Sequence, residues 1–225
     1  RQLQMCIRDR EGDERIAVQA MKLGAADYLV KGDVTAVSLL TCIGQVQEKN
    51  LLIQQLRRSQ NQQTVIASIA LHIRQSLNFQ DVANRIVQEI RRFLEADRTI
   101  IYRFNPDMSG VIVAEAIIPP WLSCLNTQIE DTCFQENLGG EYQQGRIFAA
   151  ADIYAANLTD CHIELLERFQ VRANLVVPIL LNDDNTLWGL LIAHQCSATR
   201  QWDDEDIQLL NQLSIHLSLA LQQAE

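Results

Sequence analysis

The chain has 225 residues, 48% of them hydrophobic and 21% charged, which is the composition of an ordinary globular protein of one or two domains. Its formal net charge is −9, with 28 acidic residues against 19 basic ones. The basic residues are scattered, with no run longer than the pairs Arg57-Arg58 and Arg91-Arg92. Such a surface repels phosphates, so neither nucleic acid nor an anionic membrane is an expected partner. No apolar stretch approaches the roughly 20 residues needed to cross a bilayer, and no secretory signal opens the chain. A cytoplasmic location is expected. The six cysteines form no CxxC pair, so no zinc or iron–sulfur site is expected.

In chain order, residues 14–31 read as a helix followed by a short strand. Ile16, Ala17, Ala20, Met21 and Leu23 give the helical face, Gly24 the stop, and Asp27 to Val30 the strand. From Ala36 to Leu77 there is no proline and only Gly44 among glycines. Leu39, Ile43, Val46, Ile53, Leu56, Ile66 and Ile69 recur at three- and four-residue steps, which predicts a long helix rich in glutamine. A sparse apolar seam of this kind suits pairing with a second copy, or a solvated spacer.

The rest reads as α+β. Asp81 to Leu94 is amphipathic, with Val82, Ile86, Ile90, Phe93 and Leu94 on one face. Arg98 to Phe104 and Val111 to Ala116 alternate as strands around a turn at Asn105 to Gly110. Asn174 to Leu181 and Leu187 to Gln195 are apolar strand runs joined through Asn182 to Thr186. A last helix starts near the N-cap Asp203 and buries Ile207, Leu210, Leu213, Leu217 and Leu221. The predicted fold is an antiparallel sheet flanked by helices. Between its strand pairs lies a long irregular excursion, residues 117–173, and such insertions are usually functional.

The excursion contains Ala151 to Leu180, with Asp160-Cys161-His162-Ile163-Glu164-Leu165-Leu166 inside it, and Leu187 to Trp202 follows. These segments closely resemble the bilin-binding GAF domains of phytochromes and cyanobacteriochromes, over roughly residues 66–224. The resemblance implies a linear tetrapyrrole joined to Cys161 by a thioether, with His162 against the ring system. A thiol at this place needs its thiolate, which a helix N-terminus at Ile163 and an adjacent imidazole would favour. Asp131-Thr132-Cys133-Phe134 looks like the Asp-x-Cys-Phe motif of one cyanobacteriochrome subgroup. That likeness implies a reversible second thioether from Cys133 and a blue-absorbing dark state. It also implies switching by rotation of ring D, and phycocyanobilin or its isomer phycoviolobilin as cofactor. Asp131 would accept the pyrrole N–H groups, and Phe134 or Trp121 would pack on the rings. His194 matches a histidine near ring D, and Tyr142 with Arg146 a stretch beside the pocket. Glu141 stands where relatives often have a basic residue, and a surface salt bridge is an equal alternative for Arg146. Cys124 and Cys196 are read as structural.

Gly12 to Lys31 resembles the end of a response-regulator receiver domain, in which the lysine at position 31 would contact a phosphoryl group. Residues 1–10 depart from that family, and most of such a domain is missing, so residues 1–35 are expected to be poorly ordered. The organisation expected is therefore a truncated receiver remnant at 1–35, a linker helix at 36–65 and a bilin-binding GAF domain at 66–225. Implied partners are a histidine kinase or other signalling domain of a phosphorelay, and a second copy through the flanking helices. Turnover is not expected: adjacent residues on a helix point about 100° apart, poor geometry for a Cys161–His162 nucleophile and base, and neither HExxH nor GxSxG occurs. The alternatives are a GAF domain sensing a non-covalent ligand such as a cyclic nucleotide, or a pigment-free regulatory or dimerisation module of a kinase.

Overall fold

The structure, a computed structural model, describes residues 5–8, 18–19, 22, 27–30, 34–75, 78–129, 140–181 and 186–224. It divides into two compact units, residues 1–61 and 62–225.

In the first unit, strand β1 (Met5–Arg8) pairs in parallel with β2 (Asp27–Val30), Cys6 opposite Tyr28. The second strand is the one expected from sequence, and both strands lie within residues 1–35, the stretch expected to be poorly ordered. Lys31 falls outside the described residues. Helix α1 (Ala36–Gln75) follows. It starts where Thr35 and Ser38 cap each other, the Thr35 N–H donating to Ser38 Oγ at 2.9 Å and the Ser38 N–H to Thr35 Oγ1 at 3.1 Å. The apolar seam read from sequence is buried only near its ends, at Val46 and Ile69, while Ile53 and Leu56 in the middle are exposed.

The second unit carries the sheet. Helix α2 (Phe79–Leu94) begins two residues earlier than expected because Asn78 caps it, its side chain accepting from the Gln80 N–H at 2.9 Å. Strands β3 (Arg98–Phe104), β4 (Gly110–Ile117), β5 (Gln128–Ile129), β6 (Phe148–Ala150), β7 (Ala173–Leu181) and β8 (Thr186–Gln195) form one antiparallel sheet in the order β5-β4-β3-β8-β7-β6. Helix α3 (Asp160–Arg168) lies between β6 and β7, and α4 (Asp204–Ala224) closes the chain. The Asp206 N–H donates to Asp203 Oδ1 at 2.8 Å, so Asp203 caps α4 as the sequence predicts. Ile207 and Leu221, expected to be buried on α4, are only partly so, and Leu209 takes a fully buried place.

Alternation along the strands explains the layering. Ile101, Ala114, Leu175, Val177, Leu191 and Ala193 face one way, into a core shared with Val82, Ile86 and Ile90 of α2 and Leu210, Leu213 and Leu217 of α4. Ile100, Tyr102, Val176 and Leu190 face the other way, into a second cluster with Cys124. Because β7 and β8 are covered on both faces, they read in sequence as continuous apolar runs rather than alternating ones. The long excursion forms that second cover, and it is less irregular than expected: it contains β5, β6, α3 and two 3₁₀ turns, at Gly140–Gln144 and Ile153–Ala155.

Gly189 lies where β8 runs close against β3. A Cβ there would stand 2.3 Å from the Tyr102 carbonyl oxygen, a backbone atom that cannot step aside. Gly189→Ala is expected to destabilise the fold by about 1–3 kcal/mol, read as a lower denaturant midpoint at unchanged slope.

Candidate functional site

On the face of the sheet opposite α2 and α4 there is a cavity of about 500 Å³, its open mouth included. Tyr102, Leu190, Ile192 and Val176 form its floor, Leu165, Leu166 and Phe169 its helical wall, and Ile129 and Tyr142 its rim. Among these apolar surfaces stand three nitrogen-bearing side chains, His162, Asn174 and His194.

His162 and Cys161 sit in the first turn of α3. Expected to begin at Ile163, this helix begins at Asp160, because the Thr159 carbonyl already accepts from the His162 and Ile163 N–H groups at 3.0 Å. Successive residues on a helix diverge by about 100°. His162 accordingly lines the cavity, while Cys161 is exposed, its Sγ 3.4 Å from Thr159 Oγ1. The dipole of a helix N-terminus favours negative charge in its first turn; Asp160 in the same turn opposes it.

His194 and Asn174 are each 3% exposed and face one another across β8 and β7. Asn174 Oδ1 and His194 Nδ1 are buried without hydrogen-bond partners. Burial, reinforced by the nearby Arg98 charge, pushes the His194 imidazole down to about 3, so it is neutral at physiological pH. A site built of apolar walls with two orphaned polar atoms fits a flat, largely apolar ligand bearing a few hydrogen-bonding groups.

Tyr142 lies on the 3₁₀ turn Gly140–Gln144 and joins the rim. Arg146 does not line the cavity: it is half exposed, pairs with Glu141 and lies 5.6 Å from the Phe148 ring centroid. The salt-bridge alternative is the arrangement present. Trp121 is half-buried and also outside the lining. Asp131, Cys133 and Phe134 lie outside the described residues. Cys124 and Cys196 are buried as expected, and burial pushes the Cys196 thiol up to about 11.

A GAF domain family model matches residues 78–221. The chain belongs to the GAF domain family. This GAF domain is 40% identical to the crystal structure of the cyanobacteriochrome TePixJ GAF domain, with a TM-score of 0.61, over 68% of this chain and 94% of that one. A far-red absorbing dark state with bound biliverdin is 34% identical, with a TM-score of 0.67, over 71% of this chain and 98% of that one. The circadian input-output histidine kinase CikA of Synechocystis sp. is 33% identical over 189 residues, which cover 73% of this chain and 25% of the kinase. That of Thermosynechococcus vestitus is 30% identical over 92% of this chain and 30% of the kinase. The chain thus spans less than a third of the length of these curated relatives. No helix among the described residues is long and apolar enough to cross a membrane.

Sequence reasoning missed the group that holds the end of the GAF cavity together. Arg98 is fully buried beside His194 in the register of β3 and β8. Its guanidinium donates to the carbonyls of Phe169 at 2.7 Å and Leu122 at 2.6 Å, and its Nε lies 3.2 Å from Glu115 Oε1. Glu115 in turn accepts from the Cys124 N–H at 3.0 Å, the Leu125 N–H at 3.2 Å and the Ser123 hydroxyl. One ion pair thereby ties the end of α3 and the loop after β4 to the sheet. Asp97 performs a similar task at the strand's start, accepting from the Cys196 and Ser197 N–H groups at 2.8 Å each. The signal in the sequence was an acid and a base, Asp97-Arg98, directly before an apolar strand.

Proposed function

We propose that this GAF domain is the photoreceptor module of a two-component signalling protein, holding a linear tetrapyrrole through Cys161. The observation that carries the reading is the apolar cavity with His162, neighbour of Cys161, in its wall and two unpartnered buried polar atoms on its floor. Likeness to the TePixJ GAF domain supports the pigment class, and likeness to CikA supports kinase output.

In this reading Cys161 adds its thiol across the ethylidene double bond of ring A: the S–C bond forms at one carbon and the thiol proton ends on the other, with nothing released. His162 lies against the rings and His194 near ring D. Cys133 supplies a second, reversible thioether, and Asp131 accepts pyrrole N–H groups; both lie on the segment that joins the rim residues Ile129 and Tyr142. When bound, the pigment supplies light-driven isomerisation about the double bond to ring D, starting from a blue-absorbing dark state. Phycocyanobilin or phycoviolobilin is the proposed cofactor. The chain performs no turnover beyond attaching and isomerising its own pigment. It works in the cytoplasm, passing its signal through flanking helices to a kinase-type domain, with a second copy paired along them. In this reading Gly12 to Lys31 derive from a receiver-type domain.

The test is to co-express the chain with a phycocyanobilin-producing pathway and record absorption before and after blue light, for wild type and Cys133→Ala. A blue-absorbing state that converts to a longer-wavelength form and is absent from the variant is the expected result. Bound pigment with no blue state in wild type would remove the Cys133 role and leave Cys161. A colourless protein would return the site to a non-covalent small ligand.

A further inference from the structure

The hydroxyl of Thr159 is turned away from the task its position sets. Thr159 is the N-cap of α3, and an N-cap threonine ordinarily accepts from a backbone N–H two or three residues on. Here the side chain makes no cap bond, and the Thr159 carbonyl takes the His162 and Ile163 N–H groups instead, at 3.0 Å each. Oγ1 lies 3.4 Å from Cys161 Sγ, and either atom can be the donor. Beside this pair stands a chamber that bears independent marks of a ligand. His162, the next residue of the helix, lines it, and Asn174 Oδ1 and His194 Nδ1, on side chains 3% exposed, have no hydrogen-bond partner there among the described residues.

The contact between hydroxyl and sulfur is asymmetric in what it can do. A thiol can donate to the hydroxyl or accept from it. A thiolate has only lone pairs, so once the proton is gone the hydroxyl is the one donor of the two. A hydrogen bond to the charged form favours that form, and such bonds are roughly twice as strong as neutral ones. Asp160, in the same turn, places a negative charge that works against the thiolate. We infer that Thr159 is a positioning residue for covalent attachment, its hydroxyl donating to the Cys161 thiolate and so holding the sulfur in one rotamer and in its reactive form. The identity of the electrophile rests on the photoreceptor reading above. In the addition the thiol gives its proton to water and the thiolate sulfur bonds one ethylidene carbon. Water then returns a proton to the other carbon, and nothing is released. Thr159 keeps its own proton throughout. A stabilised thiolate is also a weaker nucleophile, but nucleophilicity falls only about half as fast as the thiolate fraction rises. One charge-assisted bond raises that fraction about tenfold, which leaves a net gain of about threefold in rate.

Two variants test the role. Thr159→Val keeps the shape and loses the donor, and Thr159→Ser keeps the donor. Pigment-free protein gives the first readout, the rate at which iodoacetamide alkylates Cys161 at neutral pH, followed by mass spectrometry on its own peptide. Thr159→Val is expected to react about threefold more slowly, with Thr159→Ser close to wild type. Melting temperature separates this from capping. With no cap bond to lose, Thr159→Val should stay within about 1 °C of wild type, whereas loss of a working N-cap would lower it by roughly 2–4 °C. Alkylation of Thr159→Val at the wild-type rate, or a fall in melting temperature of that size, would overturn the assignment. The second readout is the rate of covalent attachment when phycocyanobilin is added to purified apoprotein, expected to slow by the same factor in Thr159→Val and to recover in Thr159→Ser. Slowed alkylation with unchanged attachment would overturn the role in attachment. Wild-type protein that takes up no pigment would overturn the photoreceptor reading, and the alkylation rates would still judge the hydroxyl.

Discussion

Cys161→Ala is expected to abolish covalent pigment, lowering zinc-enhanced fluorescence of the denatured protein by at least about 100-fold when the chain is made in a phycocyanobilin-producing cell. The size of the effect follows from chemistry rather than from binding. A thioether is either formed or not, and the other three cysteines whose burial is described, Cys42, Cys124 and Cys196, are all buried. The variant removes nothing from the cavity wall, because the thiol lies outside the lining while His162 lies within it. Pigment that survives native purification but is lost on denaturation would therefore still accompany the variant. Covalent attachment undiminished in Cys161→Ala would sink the assignment and direct attention to Cys133.

Arg98→Met is expected to be the most damaging single change to the fold, at about 3–5 kcal/mol, or on the order of 10 °C in melting temperature. The Glu115 carboxylate would remain, its side chain 3% exposed, held by the Cys124 and Leu125 amides and the Ser123 hydroxyl but stripped of its counter-charge. Breaking one half of a buried pair costs more than removing both. Arg98→Met with Glu115→Leu should thus recover part of the loss, and a double variant no better than the single one would count against the pair as the cause. The same pair sets an acid limit. Burial alone would raise the Glu115 carboxyl, but hydrogen bonds from Cys124 and Ser123 and the Arg98 charge outweigh it and hold the group below its ordinary 4.5. A carboxyl depressed in the folded state contributes its full stability above the unfolded value and loses it as pH falls through the lower, folded one. Wild-type stability should fall on acidification below about pH 4.5, and more shallowly in the double variant.

Much of this was legible in the residues themselves. Helices α2 and α4 declare themselves by apolar spacing and by their caps, and β7 and β8 by runs that have to be buried on both faces. The six-stranded antiparallel sheet with flanking helices is the fold that these elements and the GAF resemblance predict. The excursion was harder. Its short strands β5 and β6, of two and three residues, are too brief to carry a period. Helix α3 begins at Asp160 rather than Ile163 because its cap uses backbone rather than a side chain, which leaves no mark in sequence. His162, His194 and Tyr142 were anticipated at the cavity through the resemblance. Asn174 and Tyr102 were not, since a single polar or aromatic residue in an apolar strand looks the same whether it fills a core or faces a ligand. Only cross-strand register distinguishes them. Arg98 was read as part of a strand and nothing more, for the same reason: its partners lie 24 and 71 residues away.

Strand β8 has a consequence for how anything inside the cavity is felt outside it. Leu190, Ile192 and His194 are cavity lining, while Leu191 and Ala193, the residues between them, belong to the core beneath α2 and α4. The partition between the chamber and the helical layer is a single ply of backbone. Close-packed interiors transmit displacement rather than absorb it, so a push on His194 of even a few tenths of an ångström is met on the reverse side by the helices. Within this unit the cavity's floor and the helices' bed are one and the same membrane of peptide, and neither can be reshaped in private.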